Sequence, residues 1–182
     1  MTRISSADIR GLGNWNFDEY VGMLPEEGNL LEIGSLFGKS AVCWAETFER
    51  YNKNWNIHAV DLFAGFAAGG GIWSSAKQRI NPDPEFHCTA KEHLEEFKRN
   101  TSSWDNITWQ RTNHIGYIPK QKPDALFYDG DHSYIGMKDT MKNLWDIEFI
   151  FVDDCHMPET VKVLEELGRP FEIKHGMAVI NG

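Results

Sequence analysis

The chain has 182 residues, of which 41% are hydrophobic and 25% charged, and its formal net charge is −9. That size and balance fit one globular domain over 1–182, with a sizeable core and little room for a second. An acidic chain without a basic stripe disfavours broad binding along a nucleic-acid backbone, and no run approaches the roughly 18 apolar residues of a membrane span.

The opening Met1-Thr2-Arg3-Ile4-Ser5-Ser6-Ala7-Asp8 lacks the apolar stretch of a signal peptide, so a cytoplasmic location is expected. Residues 1–28 precede the first strand as a short segment that either packs on the core or forms a reduced lid. Trp15, Phe17 and Tyr20 are its anchors, and core packing is the simpler reading. Leu30-Leu31-Glu32-Ile33 is a short apolar strand. A glycine loop leads into a helix over 40–51, with Ala41, Trp44, Ala45 and Phe48 on one face. A second strand covers 57–61. The glycine- and alanine-rich stretch 64–71 reads as a mobile loop. A charged, exposed helix is expected over 90–99 and a third strand over 107–111. The fourth strand, 124–129, carries acids at both ends. A helix over 134–144 and a nearly all-apolar fifth strand over 147–152 follow. Pro158 suits the first turn of a helix over 158–167. Two closing strands, 171–175 and 177–180, meet at a tight turn at Gly176. Cys43, Cys88 and Cys155 have no paired spacing, which argues for free thiols rather than a disulfide framework or zinc knuckle.

Strands alternating with helices predict an α/β fold, a doubly wound and mostly parallel sheet with a closing antiparallel strand. Ligands of such sheets bind beyond the carboxyl ends of the strands. Three clusters fall there. In Glu32-Ile33-Gly34-Ser35-Leu36-Phe37-Gly38-Lys39-Ser40, Gly34 permits a tight turn and close approach of a ligand to the backbone. Gly38 lets the helix start near the strand, and Ser40 is placed to satisfy first-turn amides. The spacing matches neither the dinucleotide fingerprint nor the phosphate loop; a loop that merely connects two elements stays open. Asp61, in Val60-Asp61-Leu62, ends the next strand about 20 residues on, where an acid accepts from ribose hydroxyls. The alternative is a solvated loop acid. Asp129 and Asp131 end the fourth strand and Asp153-Asp154 the fifth. Carboxylates brought close by neighbouring strands raise one another's pKa or recruit a cation such as Mg²⁺.

Glu32-x-Gly34-x-x-x-Gly38 with Asp61 resembles the motifs of class I S-adenosylmethionine-dependent methyltransferases. Phe127-Tyr128-Asp129-Gly130-Asp131-His132-Ser133-Tyr134 resembles a segment of their branch that includes macrocin-type sugar O-methyltransferases. The resemblance runs from about 29 to 166. It implies a Rossmann-like sheet, with Gly34, Ser35, Gly38 and Ser40 around the methionine part of S-adenosylmethionine. It further implies Glu32 near the amino group through water, Asp61 and Leu62 at the ribose, Asn113 or His114 at the adenine, and Asp129 bordering the same pocket. An ordinary loop capped by Asn113 remains the alternative at 112–114.

The resemblance also implies Mg²⁺ on Asp129, Asp153 and Asp154, holding acceptor hydroxyls, and His132 as base, three residues after Asp129. His156 is either a second base or ligand, or a solvated loop histidine. Two features depart from the family. The segment before the first strand is short. The turn before the fifth strand reads Trp145-Asp146-Ile147-Glu148 in place of Pro-Gly-Gly. A site with so little lid is either open or completed by a second subunit, which would make a homo-oligomer. Three readings stand: O-methylation of a small hydroxylated molecule or sugar, with or without metal assistance; methylation of nitrogen or a macromolecule without metal; and a non-catalytic binding or interaction domain.

Overall fold

The computed structural model describes residues 3–11, 13, 15–66 and 87–182. After a 3-10 turn at Ser6–Asp8 and a short helix α1 (Asp18–Val21), the elements run β1 (Glu27–Ile33), α2 (Lys39–Arg50), β2 (Asn54–Asp61), β3 (Gly65–Phe66), β4 (Cys88–Thr89), α3 (Ala90–Thr101), β5 (Ile107–Arg111), β6 (Ala125–Tyr128), α4 (Tyr134–Met141), β7 (Phe149–Val152), α5 (Pro158–Leu167), β8 (Glu172–Lys174) and β9 (Met177–Asn181). Seven strands form one sheet in the order β5-β2-β1-β6-β7-β9-β8. Strands β5, β2, β1, β6 and β7 are mutually parallel, and β9 closes antiparallel on β7, with β8 antiparallel to β9. The expected doubly wound sheet with an antiparallel finish is therefore present. No helix among the described residues is long and apolar enough to cross a membrane.

The central strands are buried because both faces are covered. All four residues of Ala125-Leu126-Phe127-Tyr128 are buried. Alternation of side chains along each strand divides them between two cores. Leu30, Phe127 and Phe151 join Trp44 and Phe48 of α2 on one face. Leu31, Ile33, Leu126, Tyr128, Ile150 and Val152 meet Met137 and Met141 of α4 and Val163 and Leu164 of α5 on the other. Glu32 shares its face with Leu30, on the side of α2, which puts a carboxylate inside the core.

The described part of the segment before β1 packs on the core. Phe17 and Tyr20 are buried, and Phe17 stacks on Trp44 with ring centroids 3.8 Å apart. Helix α3 is less exposed than its charge suggests. It buries His93, Phe97, Asn100 and Thr101 and starts at a capping box of Thr89 and Glu92. The strands start earlier than the apolar run does, since Glu27 of β1 pairs with Asn54 of β2. Of the expected mobile loop at 64–71, residues 64–66 lead into the small β3–β4 pairing, and 67–71 lie outside the described residues.

Candidate active site

The loop after β1 is shaped by the protein's own backbone. Gly34 has φ +84°, and a Cβ there would collide with the carbonyl oxygen of Asp129. The glycine thus permits close approach of the β6 end. Gly38, at φ +87°, is the N-cap of α2 and carries no side-chain cap. A Cβ on it would come within 2.9 Å of Thr101 Cγ2 and 3.2 Å of Phe97, so it makes room for α3 rather than for the strand. Ser40 does not cap the helix. It is buried, and its hydroxyl favours the ionised form of the nearby Glu32 carboxylate.

Glu32 is fully buried. Ser35 Oγ donates to its Oε2 at 2.7 Å, while Oε1 has no hydrogen-bond partner. Burial raises its pKa from the usual 4.5 to about 7; the Ser40 and Ser35 hydroxyls oppose this and the charges of Asp129 and Asp61 add to it. An acceptor left without a donor inside a core is costly. It fits a cationic group arriving from outside.

Asp61 acts on the same loop. Its Oδ2 accepts the amides of Ser35 at 2.9 Å and Leu36 at 3.0 Å, and its Oδ1 accepts the amide of Phe63 at 2.6 Å. The carboxylate is thereby aimed at the loop, with part of its acceptor capacity left over. Leu62 beside it is 39% exposed. His93, which the sequence reading passed over, pins the far side. The Gly65 amide donates to its Nδ1 at 3.3 Å, so Nε2 carries the proton and donates to the Leu36 carbonyl at 3.0 Å. Burial lowers its pKa, against the pull of Asp61, which suits a neutral ring. A single histidine on the buried side of a charged helix gave no signal to find it by.

Asn113 and His114 are engaged within the protein. Asn113 Oδ1 accepts the Ile115 amide at 3.0 Å, a turn within its own loop. His114 Nε2 accepts the Asp131 amide at 3.1 Å, and burial lowers its pKa. The string after β6 is likewise partly architectural. Tyr128 donates its hydroxyl to the Asp131 carbonyl at 2.7 Å. Asp131 Oδ1 accepts the Ser133 amide at 2.8 Å, and Ser133 caps α4.

The remaining groups converge. His132 Nε2 lies 3.4 Å from Asp129 Oδ1 and 3.7 Å from Asp154 Oδ2. Asp154 reaches inward from a left-handed backbone, φ +55°. One ligand-capable atom from each of Asp129, His132 and Asp154 lies within 4.8 Å of the others. Burial pushes the Asp129 carboxyl upward; the bond from His132 opposes this, and the charges of Asp153 and Asp154 add to it. Burial lowers the His132 pKa, but the bond and charge of Asp129, then Asp154 and Asp153, outweigh it and the net shift is upward. Both carboxylate oxygens of Asp153 are engaged within the protein. Its Oδ2 accepts the Trp15 indole N–H at 2.8 Å and its Oδ1 accepts the Asp154 amide at 2.8 Å. His156 is exposed, with Nδ1 3.6 Å from Asp154 Oδ1.

A carboxylate pair and an imidazole thus sit at the C-terminal ends of two neighbouring parallel strands, against a glycine loop holding a buried, half-paired glutamate. The model of one family, described as a methyltransferase domain, matches residues 31–147. The chain belongs to the methyltransferase-domain family. The resemblance drawn from its glycine loop and its Asp129–Tyr134 string is borne out. Solved structures share the fold. The O-methyltransferase NovP aligns with a TM-score of 0.63 and 18% identity, over 90% of this chain and 74% of that one. The calicheamicin methyltransferase CalS11 aligns at 0.58 and 14%, over 90% and 74%. A putative S-adenosyl-L-methionine-dependent methyltransferase from Methanococcus maripaludis aligns at 0.55 and 14%, over 91% and 83%. No curated protein matches the chain in sequence.

Proposed function

We propose that this methyltransferase domain uses S-adenosylmethionine to methylate a hydroxyl of a small molecule of the sugar class. The observation that carries the reading is the meeting of Asp129, His132 and Asp154 beside the glycine loop that follows Glu32. The unpaired Glu32 Oε1 supports the donor, because the methionine part presents an ammonium group and a buried carboxylate oxygen without a donor is its complement. The names of NovP as an O-methyltransferase and CalS11 as a calicheamicin methyltransferase support an oxygen acceptor on a small molecule. The net charge of −9 supports a small acceptor over a nucleic acid.

When bound, the donor supplies a methyl group activated on a positively charged sulfur, so that the acceptor's oxygen–carbon bond forms as the sulfur–carbon bond breaks and the electron pair stays on sulfur. The protein's work is placement and proton removal. Asp61 and His93 hold the loop that cradles the donor. His132 Nε2 takes the acceptor hydroxyl's proton and passes it to water. Asp129 and Asp154 would hold a divalent cation such as Mg²⁺, which would acidify that hydroxyl, and Asp153 supports them through the Asp154 amide. Titration calorimetry with S-adenosylhomocysteine tests the donor: binding is expected, and its absence rejects the reading. Methyl transfer to a panel of hydroxylated acceptors, with and without chelator, tests acceptor and metal. Full activity in chelator would remove the cation.

A further inference from the structure

Beneath His132 lies a group that neither the motifs nor the family resemblance singles out. Thr160, in the first turn of α5, is fully buried. Its hydroxyl makes one hydrogen bond among the described residues, to His132 Nδ1 at 3.3 Å. The other ring nitrogen faces Asp129 and Asp154, and the ring stands edge-on to Tyr128, centroids 5.8 Å apart. His132 is therefore held between two acceptors-only on one side and a hydroxyl on the other.

A neutral imidazole carries one proton. Next to two carboxylates, which only accept, that proton belongs on Nε2; Nδ1 must then accept, and a hydroxyl can donate to it. To take a proton from an acceptor molecule, or to lend its lone pair to a cation, Nε2 must be bare. The proton then sits on Nδ1, and its partner must accept. A carbonyl or carboxylate behind the ring would lock Nδ1–H permanently, the usual arrangement for a histidine that binds metal or acts as base. A hydroxyl serves either state by turning about its C–O bond. We propose that Thr160 is a positioning residue whose rotating hydroxyl supports both neutral tautomers of His132, baring Nε2 only when a cation or an acceptor enters between Asp129 and Asp154. The inference rests on the reading of His132 as the base.

The test separates tautomer from turnover. Long-range proton–nitrogen NMR of the labelled histidine ring, at alkaline pH where the ring is neutral, reports which nitrogen carries the proton. In the wild-type chain the proton is expected on Nε2 without cation and on Nδ1 after millimolar Mg²⁺. Thr160→Val, which keeps the shape and removes the hydroxyl, is expected to hold the Nε2–H form in both conditions, because an unpartnered Nδ1–H is the worse state to bury. Thr160→Ser is expected to follow the wild type, and Thr160→Ala to follow the valine variant should that one not fold. With a methyl acceptor in hand, kcat falls at least tenfold in the valine variant while KM stays within twofold. A valine variant whose ring responds to Mg²⁺ as the wild type does overturns the role of Thr160 and leaves the base intact. A wild-type ring that keeps its proton on Nδ1 throughout overturns the two-tautomer role and leaves the base intact, and one that keeps it on Nε2 with cation or acceptor bound overturns both.

Discussion

Trp15 donates its indole N–H to Asp153 Oδ2 across 2.8 Å, a bond that joins the segment before the first strand to the loop after the fifth parallel one. It leaves the two acids of the Asp153-Asp154 pair with different work. Asp153 has one oxygen engaged by the indole and the other by the Asp154 amide, and Asp154 turns toward Asp129 and His132. Mn²⁺ or Mg²⁺ binding, followed by calorimetry, should therefore collapse in Asp129→Asn and Asp154→Asn. Asp153→Asn should lose less than tenfold. Trp15→Phe should lower stability by about 1–2 kcal/mol, since it strips a charge-assisted bond from a half-buried carboxylate. Equal loss of cation binding in all three acid variants would return Asp153 to the ligand set.

On the proposed role of Glu32, donor binding is linked to protons. Its pKa rises from 4.5 in the unfolded chain to about 7 in the fold, so between those values the folded protein holds a proton that the unfolded one has released. The stability it contributes is full below about 4.5 and is lost as pH rises through about 7, on the order of 3 kcal/mol by linkage. Only the ionised form answers an ammonium group. Affinity for S-adenosylhomocysteine should accordingly rise with pH and level off above about 7, with a proton released on binding. Calorimetry in two buffers of different ionisation heat measures that proton. Glu32→Gln should unfold at higher temperature than the wild type at alkaline pH, yet bind the ligand about tenfold more weakly and without pH dependence. A wild-type affinity flat from pH 5 to 8 would contradict the link.

What sequence reading captured and what it missed divide on physical grounds. Phe149-Ile150-Phe151-Val152 and Ala125-Leu126-Phe127-Tyr128 are apolar without interruption, as strands covered on both faces must be, and the acids that follow them mark the site without any structure. Local spacing does not reveal partners far along the chain. Trp15 and Asp153 are 138 residues apart, so the division of labour between Asp153 and Asp154 was hidden. The buried side of α3 was hidden by chemistry. Its inward positions include His93, Asn100 and Thr101, which read as surface. Gly34 was rightly singled out as a point of close approach, although what approaches is the Asp129 carbonyl.

His93 should behave as a pin for the donor loop rather than as a catalyst. Replacing it with Leu leaves the Leu36 carbonyl and the Gly65 amide without their partner in a buried place, a cost of about 1–3 kcal/mol. His93→Gln restores the reach of one of the two bonds and should recover part of the loss. Thermal unfolding of the three chains checks the order wild type, Gln, Leu. Protection of the Gly65 amide against hydrogen exchange should fall in the same order, and unchanged protection in His93→Leu would exclude the pin.

Asp61 gives the sharpest test, because two roles meet on one carboxylate. The family resemblance assigns it to the ribose. By contacts it accepts three backbone amides, two of them from the donor loop. Asn has one carbonyl oxygen and must turn its amide group toward either Phe63 N or the pair from Ser35 and Leu36, donor against donor. Asp61→Asn should cost about 2–3 kcal/mol in stability. If the acid works by shaping the loop, the variant weakens S-adenosylhomocysteine and free methionine alike, although methionine has no ribose to lose. If it works through the ribose alone, only the nucleoside-bearing ligand suffers. The three amide bonds favour the first outcome, and parallel titrations of both ligands against wild type and variant decide it.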